Sequence, residues 1–462
     1  MQLKRAISVL LASAMIVAMT ACSAGGGSSV ETGSKSSTAN LPAFDSLHLG
    51  TDYKNIKANL KFLTHKTDLV NTTFKDYVQQ FQKLYPNINI TYEGITDYEK
   101  EMSNRITTKD WGDICMVPAF ITNKADLPTY FIPLGDQKTL ANTYNYTNMW
   151  MYQGKTYGIA SNGNIQGMVY NKKVYQNAGI MTLPKTPDEF LTDLQKIKDF
   201  SGGKVVPMYT NFAAQWTMTA WDAYIGINAT GSPDYMNITL PHEKNPFSKK
   251  KDMTGPYAVY YTLYEATKRH LIEADPTTTD WEGSKPMMNK GQIGTMALGS
   301  WAISQVQTAG SNSADIGYMP FPITVNGKQY ATVAGDYNYG INVTSSNDNK
   351  IAAMLYVKWL VEKSGFAASN GLISTVKDDP LPTILQESFK NVTLLEDTPA
   401  KAGEEALYGN INTDSELSLN SNYTHVAKIV EAAEGASESL DGIMDDWNKK
   451  WTAAQQKYGA LK

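Results

Sequence analysis

Apolar and polar positions along this chain alternate with two periods, and those periods predict its elements. Leu60-Lys61-Phe62-Leu63-Thr64 reads as a short strand, followed by the polar turn His65-Lys66-Thr67-Asp68. Phe74, Tyr77, Val78, Phe81 and Leu84 then fall at helical spacing and form one apolar stripe. Thr73, with Asp76 three residues on, is the expected cap, and Pro86 closes the helix. Ile88, Ile90 and Tyr92 alternate as a second strand. Strand, helix and strand within about 35 residues predict a βαβ unit and a parallel sheet. Similar patterns predict a strand over 113–117, helices over 188–200, 257–270 and 349–362, and a helical stretch over 426–458 broken at Gly435 and Gly442. No repeat of fixed length is present.

The N-terminal pattern is of another kind. Lys4 and Arg5 precede an uncharged, mostly apolar run from Ala6 to Met19. That run is too short to span a bilayer but suits the core of a signal peptide. It ends in Met19-Thr20-Ala21-Cys22, which resembles the lipobox of bacterial lipoproteins, with Met where Leu is usual. The resemblance implies that residues 1–21 are removed and Cys22 is acylated; an ordinary secretory signal is the alternative. No other apolar run is long enough to cross a membrane. Residues 23–40 are mostly Gly, Ser and Thr and cannot bury enough surface to fold. As a flexible coil they reach roughly 20–25 Å. We assign 22–56 as the acylated cysteine and its tether, so the folded cargo works at a membrane surface.

Composition narrows the picture without naming a chemistry. The 462 residues carry 41 basic and 45 acidic side chains, and loss of Lys4 and Arg5 takes the net charge from −4 to −6. That balance argues against nucleic-acid binding. Two cysteines exclude a disulfide scaffold, and with Cys22 acylated, Cys115 is expected as an inert buried thiol. Aromatic residues reach 11%, with 27 Tyr and 9 Trp.

The order of motifs resembles the extracellular solute-binding proteins of ABC importers, specifically the sugar-binding family 1 or maltose-binding protein class. Phe81 with Tyr85-Pro86-Asn87-Ile88, then Gly112-Asp113-Ile114, is similar to the family's first helix and its following strands. Gly154-Lys155-Thr156-Tyr157-Gly158-Ile159 and Gly167-Met168-Val169-Tyr170-Asn171-Lys172 resemble its first crossover. Lys185-Thr186-Pro187-Asp188-Glu189-Phe190 resembles a helix start, with Pro187 where Trp is common. Lys290-Gly291-Gln292-Ile293-Gly294-Thr295-Met296 leads to Gly299-Ser300-Trp301, another family pattern. Gly335-Asp336, Gly340-Ile341-Asn342 and Lys358-Trp359-Leu360 resemble the second crossover and its helix.

The resemblance implies an α/β, two-lobed periplasmic-binding-protein type II fold, each lobe a mainly parallel sheet flanked by helices, with a cleft between lobes. Lobe one would take 57–161 and 339–375, lobe two 166–331 and 376–462, with crossovers at 162–165 and 332–338. It also implies a monomer on the extracytoplasmic face of the membrane, as on a Gram-positive cell surface. Its partners would be a carbohydrate, probed for by the cleft, and ABC permease subunits with their cytoplasmic ATPase. No cofactor, metal or catalytic residue is implied.

A sugar offers C–H faces and hydroxyls, so its site needs aromatic platforms and hydrogen-bonding side chains. Trp301 matches the family's stacking aromatic, with core packing as the alternative. Trp216, Trp221 and Asp222 lie in a region that lines the cleft in the family, and Asn162 and Asn164 lie in the first crossover. His65, Lys66 and Asp68 follow the first strand, at the carboxyl end where open α/β sheets bind ligands; a solvated turn is the plain reading. Trp111 and Phe120 flank the next strand end. Asp336, Tyr337 and Asn338 occupy the second crossover, where a hinge role is the alternative.

Other motifs are incomplete. Gly154-Lys155-Thr156 lacks the earlier glycine of a phosphate-binding loop, having Met149 there. Ser201-Gly202-Gly203-Lys204 has no Lys-Thr-Gly partner, and His242-Glu243 lacks a second histidine. A surface glycoside hydrolase is one competing function, since 45 acidic residues contain many pairs, but no acid/base motif supports it; a binding protein for a non-sugar solute is the other.

Overall fold

The computed structural model describes residues 41–108 and 111–461. The expected signal peptide, Cys22 and the tether up to residue 40 lie outside the described residues.

Ordered packing begins well before residue 57. Phe44 and Leu47 are buried in the first lobe's core, beside partly buried Leu41, Leu49 and Ile56. The Phe44 N–H donates to the Leu134 carbonyl at 2.8 Å and the Gly50 N–H to the Tyr85 hydroxyl at 2.9 Å. Residues 41–56, expected as the end of the tether, are therefore part of the lobe. The Gly/Ser/Thr composition stops at residue 40, and the apolar residues that follow have a core to enter.

The first sheet has five strands in the spatial order Ile88–Gly94, Ala58–Thr64, Ile114–Met116, Asn338–Ile341 and Ile159–Ala160. Its first three strands pair in parallel, with Ala58 opposite Ile88 and Phe62 opposite Ile114. The helix Thr73–Gln82 connects two of them and buries Phe74, Tyr77 and Phe81. Tyr77 and Phe81 meet Trp359 and Tyr356 of the helix Asn347–Glu362 edge-on, at 5.7 and 4.9 Å. The cap of the first helix is Thr72 rather than Thr73, and it makes no side-chain capping bond.

The second sheet runs Val206–Met208, Ile293–Met296, Gly167–Asn171 and Ile316–Pro320. It lies with the helices Pro187–Ser201 and Pro256–Lys268 in a core that includes Phe190, Leu194, Tyr260, Trp447 and Trp451. In both sheets, strands supplied by a passage from the other lobe run antiparallel, so the sheets are mixed. Parallel pairing holds where a helix returns the chain within one lobe.

Two C-terminal helices, Thr424–Gly435 and Leu440–Lys457, replace the predicted helical stretch. The break falls at Ala436, which has a left-handed φ of 46°. Gly442 lies inside the second helix, contrary to expectation. Its N–H donates to the Ser439 side chain at 3.2 Å, satisfying one of the first-turn donors.

A third, small sheet joins Val392–Leu395, Gln329–Gly335 and Gly163–Ile165. The chain leaves the first sheet at Ala160 and enters this one at Gly163; it returns from Gly335 to Asn338. A third passage runs alongside, where the Gly163 N–H donates to the Ile373 carbonyl at 2.8 Å.

Candidate ligand-binding site

The first cluster forms where the strand Ala58–Thr64 ends. The His65 ring lies 4.4 Å from Tyr337 and 5.9 Å from Tyr98, and its Nδ1 is buried with no hydrogen-bond partner. Burial, then repulsion by Lys66, pushes its pKa down to about 4, although Asp336 pulls the other way. His65 is therefore neutral near pH 7 and presents both a ring face and an unused nitrogen. The Tyr337 hydroxyl donates to Glu99 at 2.8 Å, and Glu99 also accepts the N–H groups of Ala119 and Phe120 at 3.2 and 3.4 Å. Glu99 thus ties Tyr337 to the exposed Phe120, a role the sequence pattern gave no sign of. Lys66 sits with its Nζ 5.7 Å from the Phe366 ring. Asp68 belongs to the short turn Thr67–Leu69.

The crossovers are lashed together. The Asp336 N–H donates to the Asn162 carbonyl at 2.8 Å, and the Asp336 carboxylate accepts from the Tyr337 N–H at 2.8 Å and from Asn162 Nδ2 at 3.4 Å. Asn162 and Asn338 are fully buried, and the Asn338 amide donates to the Gly158 carbonyl at 3.1 Å. Asn162 is thus occupied within the passages, where short amide side chains satisfy backbone groups that leave their sheets, whereas the Asn338 Oδ1 is buried without a partner. Asn164 is 6% exposed and its Oδ1 also has no partner.

The second cluster belongs to the other lobe. Ser300 exchanges two hydrogen bonds with Ile165, N–H to carbonyl at 3.0 Å and backbone N–H to Oγ at 3.0 Å. This fixes Trp301, at the start of the helix Ala302–Thr308, beside the strand that carries Asn164. Trp301 lies 5.5 Å from Trp216 and 5.7 Å from Trp281, and Trp216 lies 5.4 Å from Trp281. Trp216 is 40% exposed, whereas Trp301 packs partly against the core of lobe one and partly against the cluster around the second sheet. Three indoles therefore form a continuous wall at the lobe boundary. Trp281 was not among the expected residues. Its only local signal is a helix start, with the Asp280 side chain accepting the Glu282 N–H at 3.0 Å.

Three other expected site residues are core. Trp111 is 2% exposed and packs edge-on to Phe131, and Trp221 is 1% exposed against Tyr224 and Phe321. Buried Asp222 accepts from Tyr260 at 2.8 Å, the Asn420 N–H at 2.7 Å and lies 3.0 Å from His425 Nε2. A buried carboxylate needs such partners, and here they leave none of it facing a ligand. Cys115 is a free, buried thiol that burial holds well above its usual pKa, in keeping with an inert strand residue. Among the described residues no His/Cys/Asp/Glu group is arranged to hold a metal ion.

Residues 67–365 match the family of bacterial extracellular solute-binding proteins. The chain belongs to this family. Among solved structures, it is similar to a manno-oligosaccharide specific solute-binding protein from Bifidobacterium animalis subsp. lactis in complex with mannotriose. Identity is 43%, coverage is 90% of this chain and 99% of that one, and the TM-score is 0.85. A second binding protein of an ABC transporter from the same organism, in complex with mannobiose, is 45% identical over 90% and 99% of the two chains, with a TM-score of 0.86. The "Multiple sugar-binding protein" of Streptococcus mutans is 22% identical over 66% of this chain and 72% of its own. As a member of this extracytoplasmic family the chain is a binding protein rather than a hydrolase, and the fold is the two-lobed type expected from the sequence.

Proposed function

We propose that this solute-binding protein captures a manno-oligosaccharide between its lobes and delivers it to an ABC permease. The observation that carries the reading is the indole wall of Trp216, Trp281 and Trp301 beside the unpartnered Asn164 oxygen. The wall offers stacking faces for sugar C–H surfaces, and the buried acceptor calls for a ligand hydroxyl donor. The similarity to two manno-oligosaccharide complexes supports a mannose-based ligand. His65 and Phe120 of lobe one, with Tyr337 of the second crossover, supply the facing wall. Lobe one takes 41–161 and 339–375 and lobe two 166–331 and 376–462. Cys22 bears the lipid, and the tether holds the monomer within reach of the permease and its ATPase.

A thermal-shift screen tests the sugar. A ligand at about 100 times its dissociation constant stabilises the native state by about 2.7 kcal/mol, enough to raise the midpoint measurably. Mannobiose and mannotriose are expected to do so, and maltose and cellobiose are not. A shift with the glucose disaccharides alone overturns the choice of sugar. Cys22→Ser is expected to release the protein from the cell surface; retention on the membrane fraction contradicts the anchor.

A further inference from the structure

Two of the three passages between the lobes carry a glycine whose role is space rather than backbone freedom. A Cβ at Gly163 would lie 2.1 Å from the Tyr146 hydroxyl oxygen, 2.4 Å from its Cζ and 2.5 Å from Cε2. A Cβ at Gly335 would lie 2.8 Å from the Ala160 Cβ and 3.1 Å from the Tyr146 Cβ. One tyrosine therefore bears on both passages. Gly163 also exchanges backbone hydrogen bonds with Ile373 of the third passage, and the Asn145 N–H donates to the Thr375 carbonyl at 2.9 Å.

Tyr146 is held firmly in this place. It is 4% exposed and packs in the apolar cluster with Ala160, Ile165, Ala331 and Ile373. Its backbone φ of 64° is left-handed, a conformation that aromatic residues adopt rarely and that the surroundings must impose. Successive side chains of a strand point to opposite faces. Ile165 shares the cluster with Tyr146, so Asn164, between Gly163 and Ile165, points to the other face. The ring bears on the strand from behind, and the same strand is bonded to Ser300, next to Trp301.

We propose that Tyr146 is a positioning residue for ligand capture: its side chain, with the ring seated on Gly163 and Cβ beside Gly335, sets the angle between the lobes and so the aim of Asn164 and Trp301. This rests on the reading of the interlobe cleft as the sugar site. Tyr146 acts through the passages, with no ligand contact of its own.

A coupled pair of substitutions tests it in the full-length folded domain. Spin labels at Lys75→Cys and Lys204→Cys, both exposed and one on each lobe, report the interlobe distance without sugar, while calorimetry reports mannotriose affinity. Gly163→Ala is expected to shift the distance by about 3 Å or more and to weaken mannotriose binding about tenfold. Adding Tyr146→Gly, which removes the ring and accepts the left-handed backbone, is expected to cancel both changes relative to Tyr146→Gly alone. Tyr146→Phe is expected to give no relief, since Cζ remains. Should the glycine variant fold poorly, Tyr146→Leu, shorter but still apolar, takes its place. An unchanged distance in Gly163→Ala, or a shift that shortening Tyr146 does not relieve, overturns the proposal. If the unsubstituted protein does not bind mannotriose, the sugar reading fails, while the sugar-free distances still decide the role of Tyr146.

Discussion

Removing the indole of Trp301 puts the proposed site to a quantitative test. A buried tryptophan covers about 150–250 Å² in all, so one ring face amounts to roughly 75–125 Å². Trp216 and Trp281 already flank Trp301 at 5.5 and 5.7 Å, so the lower figure applies to the area left for a ligand. At about 25 cal/mol per Å² the lost contact is worth about 2 kcal/mol, or roughly 30-fold in affinity. Trp301→Ala is therefore expected to raise the dissociation constant for mannotriose at least about tenfold by calorimetry, with Trp301→Phe between the two. Trp221→Phe is the matched control: at 1% exposure against Tyr224 and Phe321, it should lower the unfolding midpoint and leave affinity within about twofold. Unchanged affinity in Trp301→Ala, with the fold intact, would refute the assignment of the wall to ligand.

Other residues separate binding from stability. Asn164→Ala is expected to weaken mannotriose binding by about 1–3 kcal/mol while leaving stability equal or higher, because the free protein loses a buried acceptor without a partner; weaker stability with unchanged affinity would contradict this. Asp222→Ala leaves Tyr260, His425 and the Asn420 N–H without their acceptor, so urea unfolding should show a loss of about 3–5 kcal/mol. Its affinity should stay unchanged, and a selective loss of binding would return Asp222 to the site. His65 has a pKa of about 4 in the fold against 6.5 unfolded, so below 6.5 the unfolded chain binds the extra proton. Stability should fall as pH drops from about 6.5 to about 4, by about 3 kcal/mol in total, and His65→Gln should remove that component. An unaltered acid slope in that variant would show that His65 does not titrate as described.

The sequence pattern reported best where burial follows a local period. The stripe of Phe74, Tyr77 and Phe81 packs as its spacing requires, and the capped start at Thr186-Pro187 begins a helix, with Thr186 accepting the Glu189 N–H at 3.2 Å. Aromatic residues in loops were ambiguous because a tryptophan suits a core and a sugar face equally well. Phe131 and Phe321 decide that Trp111 and Trp221 are core, and both lie far from them or in another element. Trp281 joins Trp216 and Trp301 only through the packing of three separate helix starts, so nothing local announces it. The same holds for Tyr146, whose partners Gly163 and Gly335 come from separate passages. The lobe begins before residue 57 because Phe44 and Leu47 supply apolar anchors outside any strand or α-helix period, which leaves them no local signal.

A crystal structure of the mature protein with mannotriose tests the central claim most directly. One intact sugar is expected between the lobes, with a ring against Trp301 and a hydroxyl donating to Asn164 Oδ1. A sugar bound elsewhere, or cleaved within the cleft, would contradict it.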